Sequence, residues 1–439
     1  MLAALERLRS AKFAVQQKQT EAKQLAQATG AAMQAAKQAA DGSAERAAAE
    51  QEAARLKEQA REIGASAKLA EETVKLVEAE VERLVDQIGN LVHESVVVSD
   101  DEANNQVVRQ VGTLASADGK LNHHEVLHRL HIAELERGVG VAGHRAYFLR
   151  GFGVRLNQAL INYALDFLRQ RDYVELQTPF FMRKETMAKT MQLSTDHDLY
   201  HLTNDDSYLI ATSEQPISAL HQNEWFADKD IKGKPIKYAG YSTCFRREAG
   251  ASGKDVQGIF RVHQFEKVEQ FVICHPDESW AIHEQMVQTC ADFFESLGLA
   301  FRVVNIVSKE LNAAAAKKYD VEAWFPARQD FRELVSASNC TDYQSRALNV
   351  SCGTRTKEDK SVKYVHMLNG TMCATERTMC CLLENFQDAN GFVIPAVLRP
   401  YLGGLERVDY VREAPPKEKT KEQRKQENPD AAKNGAAKK

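Results

Sequence analysis

One stretch of the chain, 237–274, concentrates side chains that could bind an anionic nucleotide. Glycines punctuate its polar middle, so the stretch predicts two strands joined by a loop. Because side chains alternate between the faces of a strand, positions of equal parity share a surface. One such surface combines charges of both signs with an aromatic ring, in Arg246, Glu248, Arg261, Phe265 and Glu269. An anionic nucleotide with a stacked base would fit there.

The opposite face of the second strand is apolar. It carries Phe260, Val262, Val268 and Val272, which suits a buried core. A solvent-facing hairpin with cross-strand ion pairs would show the same alternation, and parity alone favours that simpler interpretation.

The particular residues of this stretch favour a binding site over a solvent-facing hairpin. FRREAG, a loop and then FRVHQFEKVEQF closely resemble the second signature motif of class II aminoacyl-tRNA synthetases, in the form found in seryl-tRNA synthetases of the eukaryotic cytosolic type. The resemblance implies a two-step reaction. The carboxylate of serine attacks the α-phosphate of ATP to give seryl-adenylate, and the seryl group then passes to the terminal ribose of a tRNA.

The resemblance also implies cofactors, partners and roles. ATP and Mg2+ are the cofactors, L-serine and serine tRNA are the partners, and charging of selenocysteine tRNA stays open. Arg246 and Arg377 would be catalytic, Arg246 at the α-phosphate and Arg377 at the γ-phosphate, while Glu248 and Phe265 hold adenine. The implied ATP-binding residues are Arg246, Arg247, Glu248, Arg261, Val262, His263, Gln264, Phe265, Glu333, Leu334, Val335, Ser336 and Arg377.

Glu333 and Ser336 are the implied residues for the magnesium that accompanies ATP. They have opposite parity, so a regular strand would not direct both into one site. A bulge or a strand end would have to reconcile them.

Thr212-Ser213-Glu214 matches the Thr-x-Glu element that lines the serine pocket of the family. A carboxylate and a hydroxyl suit an ammonium group, although a simple helix cap would use the same residues. The implied serine-binding residues are Thr212, Glu214, Arg246, Glu269, Asn369 and Thr371. A pocket that hydrogen-bonds a hydroxyl rejects alanine, whereas threonine has to be refused by crowding.

Two further blocks resemble the remaining class II motifs. Residues 363–387 predict a strand running into a helix, with Arg377 in the first turns, where a helix N-terminus favours phosphate. The usual glycine-rich lead-in is reduced there to Gly370. Residues 157–182 predict a helix and a strand ending at Pro179, which resembles the motif that forms the dimer interface and implies a homodimer.

The N-terminal residues predict an antiparallel coiled-coil hairpin. Apolar residues recur in 3,4 spacing from Ala49 to Leu91, a weaker seam precedes them, and Asp41-Gly42-Ser43 forms the turn. The longer helix would extend roughly 70 Å. Residues 1–40 carry six basic and two acidic residues, whereas 44–92 carry seven basic and eleven acidic ones. Charge alone favours pairing between the helices. The resemblance favours an arm that also binds the tRNA, presented to the active site of the other subunit.

Composition restricts the other possibilities. The net charge of −4 indicates no global affinity for nucleic acid. No apolar run is long enough for a membrane span or a secretory signal, and the cytoplasm is the expected location.

The eight cysteines form no C-x-x-C pair and predict reduced core thiols. Four histidines at 123–131 predict an exposed helix face rather than a metal site.

The predicted fold class is α+β, a class II antiparallel sheet flanked by helices with an N-terminal coiled-coil arm. The predicted domains are a tRNA-binding arm at 1–95, a catalytic domain at 96–411 with a connector at 96–150, and a basic disordered tail at 412–439. The alternative is a noncatalytic paralogue that binds RNA or acts as a scaffold, which the presence of Arg246, Glu269 and Arg377 disfavours. A relative that activates another small amino acid or loads a carrier protein is disfavoured by the long arm.

Overall fold

The chain divides into two compact units, Met1–Gly89 and Asn90–Lys439. The computed structural model describes residues 1–85, 87–191, 199–248, 257–353 and 362–414. The division falls six residues before the boundary placed at 95. Most of the predicted tail, and the predicted loop glycines Gly250 and Gly253, lie outside the described residues.

Eleven α-helices and eighteen strands are present in the described residues. The helices are α1 Leu2–Gln38, α2 Ala44–Val85, α3 His123–Leu130, α4 Leu135–Ala142, α5 Phe152–Arg169, α6 Lys184–Met187, α7 Glu214–Leu220, α8 Asp228–Ile231, α9 Ser279–Ser296, α10 Tyr343–Leu348 and α11 Thr375–Asn385. The strands are β1 Gln106–Val111, β2 Ala133–Glu134, β3 Phe148–Leu149, β4 Val174–Gln177, β5 Phe181–Arg183, β6 His201–Leu202, β7 Ser207–Leu209, β8 Trp225–Phe226, β9 Ile236–Phe245, β10 Gln264–Cys274, β11 Phe301–Asn305, β12 Lys317–Phe325, β13 Asp330–Asn339, β14 Ser351–Cys352, β15 Lys363–Tyr364, β16 His366–Ala374, β17 Gly391–Val393 and β18 Arg407–Asp409.

The first unit is a helical hairpin, as the apolar spacing predicts. Its turn lies where Asp41-Gly42-Ser43 was predicted: Gly42 has φ 75°, and the Ser43 hydroxyl accepts the amide of Arg46 at 3.2 Å. Arg7 pairs with Glu80 at 2.6 Å, so the start of α1 lies beside the end of α2 and the helices are antiparallel.

The prediction that the second helix reaches Leu91 is wrong. α2 ends at Val85, which makes it about 63 Å long, and Leu91 is 87% exposed. Beyond the end of α2, Asn90 is held in a non-helical conformation by long-range contacts. Its side-chain amide donates to the carbonyl oxygens of Ala314 and Cys340 at 2.8 and 2.7 Å, which anchors the first residue of the second unit within that unit.

An eight-stranded sheet organises the second unit, in the order β1-β11-β12-β13-β16-β10-β9-β4. Neighbouring strands are antiparallel except for β4, which runs parallel to β9 at one edge. Helices α5, α9 and α11 pack against the sheet and contribute Leu160, Phe293 and Leu383 to its core. The predicted transitions, from helix α5 to strand β4 and from strand β16 to helix α11, are both present.

The segment predicted as a connector contributes to this core. β1 forms the other edge of the central sheet by pairing with β11. The prediction of an exposed histidine face is wrong for His123, which is 2% exposed. Its ring nitrogens lie 3.0 Å from Glu384 Oε1 and 3.1 Å from the carbonyl oxygen of Gln257, so buried polar partners hold the ring inside.

The cysteine prediction is confirmed. All eight cysteines are buried free thiols. Within the described residues, no helix combines the length and the apolar composition that crossing a membrane requires.

Candidate active site

A cavity of about 210 Å³ opens at the centre of the sheet in the second unit. Strands β10, β13 and β16 supply much of its wall, the segment directly after β9 adds Arg246 and Glu248, and the N-terminal turns of α7 and α11 close two of its sides. The residues around it are Thr212, Glu214, Arg246, Glu248, Phe260, Arg261, Val262, Phe265, Lys267, Glu269, Asn312, Glu333, Leu334, Ser336, Ser338, Asn369, Thr371, Ala374, Glu376 and Arg377. Most of the predicted ATP-binding residues and all of the predicted serine-binding residues therefore meet in one place.

The hairpin β9–β10 positions the first group. Its register pairs Phe265 with Cys244 and Glu269 with Gly240, so alternate residues of β10 face the cavity. The regular strands end at Phe245 and begin at Gln264. The Arg246 amide still donates to the carbonyl oxygen of His263 at 2.8 Å, and side-chain contacts hold the other charged residues nearest the loop.

Those contacts link the residues on both sides of the loop. Glu248 has φ 48° and its carboxylate lies 3.6 Å from the guanidinium of Arg261. The guanidinium carbon of Arg246 lies 5.2 Å from the centre of the Phe265 ring, a cation–π arrangement. Two cationic groups, a carboxylate and a partly buried aromatic ring consequently surround one space.

Four of the predicted ATP-binding residues do not line this cavity. Arg247 is exposed and Val335 is fully buried against the core. His263 and Gln264 line a neighbouring hollow instead, and the Nδ1 of His263 lies 2.9 Å from the carbonyl oxygen of Arg246. The structure therefore gives His263 a contact to the Arg246 backbone, not a place in the cavity.

The predicted serine pocket is a buried network around Glu269. The hydroxyls of Thr212 and Ser213 donate to Glu269 Oε2 at 2.5 and 2.9 Å, and the amide of Glu214 donates to the same oxygen at 3.2 Å. The Ser213 hydroxyl makes no capping bond to its helix. The Thr212 hydroxyl accepts the amide of Glu214 at 3.3 Å, as a helix cap would, but a cap does not account for the bonds of both hydroxyls to Glu269.

Burial and neighbouring charges shift the pKa values of the two carboxylates of this pocket in opposite directions. Burial and the neighbouring Glu269 raise the pKa of Glu214 to about 7. Burial would also raise the pKa of Glu269, but the Lys267 ammonium and the hydroxyls of Thr212 and Ser213 outweigh it and lower this pKa. At neutral pH Glu269 is charged, whereas Glu214 can exchange a proton.

A bulge brings β16 into register with this pocket. Val268 pairs with Cys373 and Glu269 with Thr371, so Met372 is the extra residue on β16. Asn369 and Thr371 thereby reach the same cavity as Ala374, which has the opposite parity.

A second bulge resolves the parity conflict between Glu333 and Ser336. Val335 pairs with Val321 and Glu333 with Glu322, which leaves Leu334 unpaired on β13. Both Glu333 and Ser336 consequently line the cavity.

The charges near Glu333 suit a cation or phosphate groups. Arg377, the third residue of α11, lies 3.4 Å from the Glu333 carboxylate. Burial would raise the pKa of Glu333, but Arg377, Lys318 and Arg246 outweigh it and lower this pKa. Asp320, on the neighbouring strand β12, pairs with Ser336, and one of the buried carboxylate oxygens of Asp320 has no hydrogen-bond partner among the described residues. Burial and the charge of Glu333 raise the pKa of Asp320 to about 7.

Sequence reasoning missed several residues of the site. Lys267 shares parity with Phe265 and Glu269, and that signal was available although no role was assigned to it. Gln344 donates to Glu214 Oε1 at 2.7 Å from a helix distant in sequence, and no local pattern predicted it.

Glu376 was also missed. It is 3% exposed and accepts the Tyr147 hydroxyl at 2.7 Å and the Glu266 amide at 3.1 Å, beside Phe265. Burial raises its pKa to about 7.

Comparison with known proteins identifies the family. A family model described as the tRNA synthetase class II core domain (G, H, P, S and T) matches residues 199–386. A relative from Candida albicans named "Serine--tRNA ligase, cytoplasmic" is 53% identical over 383 residues, covering 82% of this chain and 83% of that protein. The chain belongs to the serine–tRNA ligase family. The predicted family and the predicted enzyme class, an aminoacyl-tRNA ligase, are therefore confirmed.

Solved structures of serine–tRNA ligases, also called seryl-tRNA synthetases, share this fold. The cytoplasmic enzyme from Naegleria fowleri, in complex with AMP, has a TM-score of 0.78 and 43% identity. The enzyme from Pyrococcus horikoshii, complexed with ATP, has a TM-score of 0.82 and 34% identity. Each comparison covers 94% of this chain and 93% of the other. The predicted α+β class with a large antiparallel sheet and an N-terminal helical arm is confirmed.

Proposed function

We propose that the cavity activates L-serine with ATP and that the chain then transfers the seryl group to serine tRNA. The observation that carries this proposal is the continuity of the site. One cavity joins the carboxylate pocket around Glu269, the Arg246–Phe265 pair and the Arg377–Glu333 pair. An amino acid and a nucleoside triphosphate could therefore bind next to each other in this cavity and react.

The amino acid occupies the carboxylate end. Glu214 receives the ammonium group, because its carboxylate lines the cavity and the hydrogen bond from Gln344 engages only Oε1. Glu269 receives the hydroxyl, and Asn369 and Thr371 complete the pocket opposite it. Arg246 binds the serine carboxylate and the α-phosphate, since its planar fork can donate to both.

The nucleotide occupies the rest of the cavity. Adenine stacks on Phe265, with Glu248 accepting from its amino group, and Arg377 binds the γ-phosphate at the N-terminal turn of α11. Adenylate formation then depends on positioning the two substrates and neutralising the phosphates, with no covalent bond to the protein.

The residues around Glu333 fit a magnesium ion bound together with ATP. Carboxylate and hydroxyl oxygens are ligands that Mg2+ accepts, and Glu333 is held in its charged form. Among the described residues, no group of three His, Cys, Asp or Glu side chains is arranged to hold a metal. Glu333 and Ser336 would hold the ion with phosphate oxygens supplying other ligands, and the ion would neutralise phosphate charge.

The tRNA is the proposed ligand of the helical arm. The basic surplus of α1 supplies charge for phosphates, so the arm at 1–95 serves tRNA binding and 96–411 serves catalysis. The names of the Candida and Naegleria relatives support a cytoplasmic location.

We also propose a homodimer that uses the surface around β4. Exposed apolar side chains occur together in this part of the sequence, with Phe148, Val154, Val174 and Phe181 between 47% and 59% exposed. Sedimentation velocity of the full chain tests this: a single species at the monomer mass would refute it.

Serine-dependent exchange of pyrophosphate into ATP tests the activation step. Exchange with serine, and far weaker exchange with glycine or alanine, supports the proposal; exchange with either of those amino acids in preference to serine refutes the specificity. Absence of exchange with every amino acid would favour the noncatalytic alternative. Charging is measured separately with serine tRNA and with selenocysteine tRNA, because the two substrates give independent answers.

A further inference from the structure

A lysine lies buried in the pocket proposed for serine. Lys267 is 5% exposed and occupies β10 between Ser242 of β9 and Ala374 of β16. Its ammonium lies 2.8 Å from Thr212 Oγ1 and 3.0 Å from Glu269 Oε1. The proposed binding of serine and ATP does not use this buried charge, although Lys267 lines the cavity.

The lysine fixes the direction of the neighbouring hydrogen bonds. An ammonium only donates, so Thr212 Oγ1 accepts from Lys267 and must direct its own proton elsewhere. That proton points to Glu269 Oε2 at 2.5 Å. Oε2 thus accepts from Thr212, from the Ser213 hydroxyl and from the Glu214 amide, whereas Oε1 accepts from Lys267 alone among the described residues.

We propose that Lys267 is a positioning residue that sets amino-acid specificity, because it holds Glu269 as a charged acceptor with one lone pair of Oε1 directed to the substrate side chain. The proposal rests on the assignment of this pocket to serine. A substrate that donates from its side chain, as a hydroxyl does, satisfies that lone pair. Alanine leaves it buried and unpaired, and this penalty is the basis of discrimination.

The surrounding charges agree with this assignment. The groups that face Glu269 are Lys267 on its own strand, Glu214 on α7, and Arg246 and the Cys244 thiol on β9 or directly after it. Burial raises the pKa of Cys244, so this thiol carries no charge at neutral pH. Lys267 is the cation in direct contact with Glu269, and the pKa of Glu269 is lowered while that of Glu214 is raised. The lysine thereby keeps Glu269 charged as the acceptor for the substrate hydroxyl, while Glu214 is available to the substrate ammonium group.

Steady-state exchange kinetics of Lys267→Met test the proposal on the full chain. Methionine keeps an unbranched apolar stem but removes the charge. The KM for serine should rise about 100-fold while the KM for ATP stays nearly unchanged, and the preference for serine over alanine should shrink by a similar factor. Because the pKa of Glu269 rises without the ammonium, kcat/KM for serine in the variant should recover as the pH increases from 7 to 9.

The control is Lys237→Met. Lys237 is a part-buried lysine of β9 whose ammonium donates to the carbonyl oxygen of Arg171 and does not line the cavity. This variant should keep the serine KM, the preference over alanine and the pH profile of the original chain.

A double variant separates the proposed role from a structural one. Lys267→Met is compared in the original chain and in the Glu269→Gln background, where no unpaired carboxylate remains at position 269. If Lys267 acts through the charge of Glu269, adding Lys267→Met to Glu269→Gln should change the serine KM by less than about threefold. Each single variant leaves one buried charge without its partner, so denaturant unfolding of all three variants accompanies the kinetics, and the KM values are compared for folded protein.

Two results would overturn the inference. One is a Lys267→Met protein with unchanged serine KM and unchanged preference over alanine; the other is an equal loss from Lys267→Met in both backgrounds. Absence of serine-dependent exchange in the original chain would instead refute the proposed function itself, so the two failures are distinguishable.

Discussion

Arg377 and Glu333 form an ion pair across the cavity, with 3.4 Å between Nη1 and Oε2. The same Nη1 donates to the backbone carbonyl of Glu333 at 3.2 Å, and the guanidinium carbon lies 5.1 Å from the centre of the Phe260 ring. Three contacts thus hold this side chain in place without any ligand. A donor fixed in this way needs little reorganisation when phosphate charge develops.

Arg377→Lys should lower kcat/KM for ATP by about 100-fold, because lysine keeps the charge but cannot reproduce the planar fork held by these contacts. The serine KM should change little. Pyrophosphate exchange at varied ATP measures both. Arg399→Lys, which alters a surface pair with Glu406, is the matched control and should retain full activity. An Arg377→Lys protein with unaltered ATP kinetics would contradict the role assigned to Arg377.

Glu333→Gln should raise the magnesium concentration required for half-maximal exchange by about tenfold, because the amide oxygen is a weaker ligand for a hard cation. The measurement is a magnesium titration at fixed ATP, with the apparent serine KM determined at saturating magnesium. Glu322→Gln is the control, since Glu322 pairs with Arg302 on the neighbouring strand. Identical titration curves for Glu333→Gln and the original chain would refute a metal role for Glu333.

Sequence reasoning predicted the elements of the site better than their exact alignment. The hairpin of 237–274, the helix with Arg377 near its start and the Thr-x-Glu element all occur where local patterns place them, because strand alternation and helix starts are local properties. The position of Ser336 beside Glu333 depends on the bulge at Leu334. That bulge is set by pairing with β12 and has no local cue.

Residues held by distant partners were the least predictable. His123 was predicted to be exposed, yet Glu384 of α11 and the carbonyl of Gln257 retain it in the interior. The apolar spacing continues through Leu91, but α2 ends at Val85 and Asn90 bonds to the distant carbonyl of Ala314 instead of continuing the helix. In both cases contacts with residues distant in sequence accompany the departure from the local prediction.

The raised pKa of Glu214 predicts a pH dependence of serine binding. The charged form is the one that binds an ammonium group, and this form is lost as the pH falls below about 7. We therefore expect kcat/KM for serine to fall by about tenfold per pH unit below that value and to level off above it. Glu214→Gln should abolish this dependence at a lower overall rate. A flat profile between pH 5.5 and 8.5 in the original chain would contradict the assignment of Glu214.

Gly240 permits the close approach of α7 to β9. A Cβ at this position would lie 2.8 Å from Ser213 Oγ and would also contact the side chain of Ile217. Gly240→Ala should lower the free energy of unfolding by about 1–3 kcal/mol, because the packed neighbours have to shift. Since the Ser213 hydroxyl donates to Glu269, the serine KM should rise as well, by about tenfold.

Denaturant unfolding and exchange kinetics measure the two effects of Gly240→Ala. Gly140→Ala is the control, because Gly140 lies in α4 and a Cβ there would have no neighbour within 4 Å. If Gly240→Ala changes stability but leaves the serine KM unaltered, Ser213 does not contribute to substrate binding.

The helical arm should affect charging of tRNA and not adenylate formation. Deleting the unit Met1–Gly89 should leave serine-dependent exchange essentially unchanged, while kcat/KM for tRNA falls by about 100-fold or more. A subtler variant, Lys23→Glu with Lys37→Glu, reverses two exposed charges of α1. It should weaken tRNA binding and reduce its salt dependence, because fewer phosphate contacts release fewer counterions. Glu62→Lys on α2 is the matched control, since it adds positive charge and should cause no loss. Charging that survives the deletion would refute the role of the arm. Equal effects of the double variant on α1 and of Glu62→Lys on α2 would exclude α1 as the side that faces the tRNA.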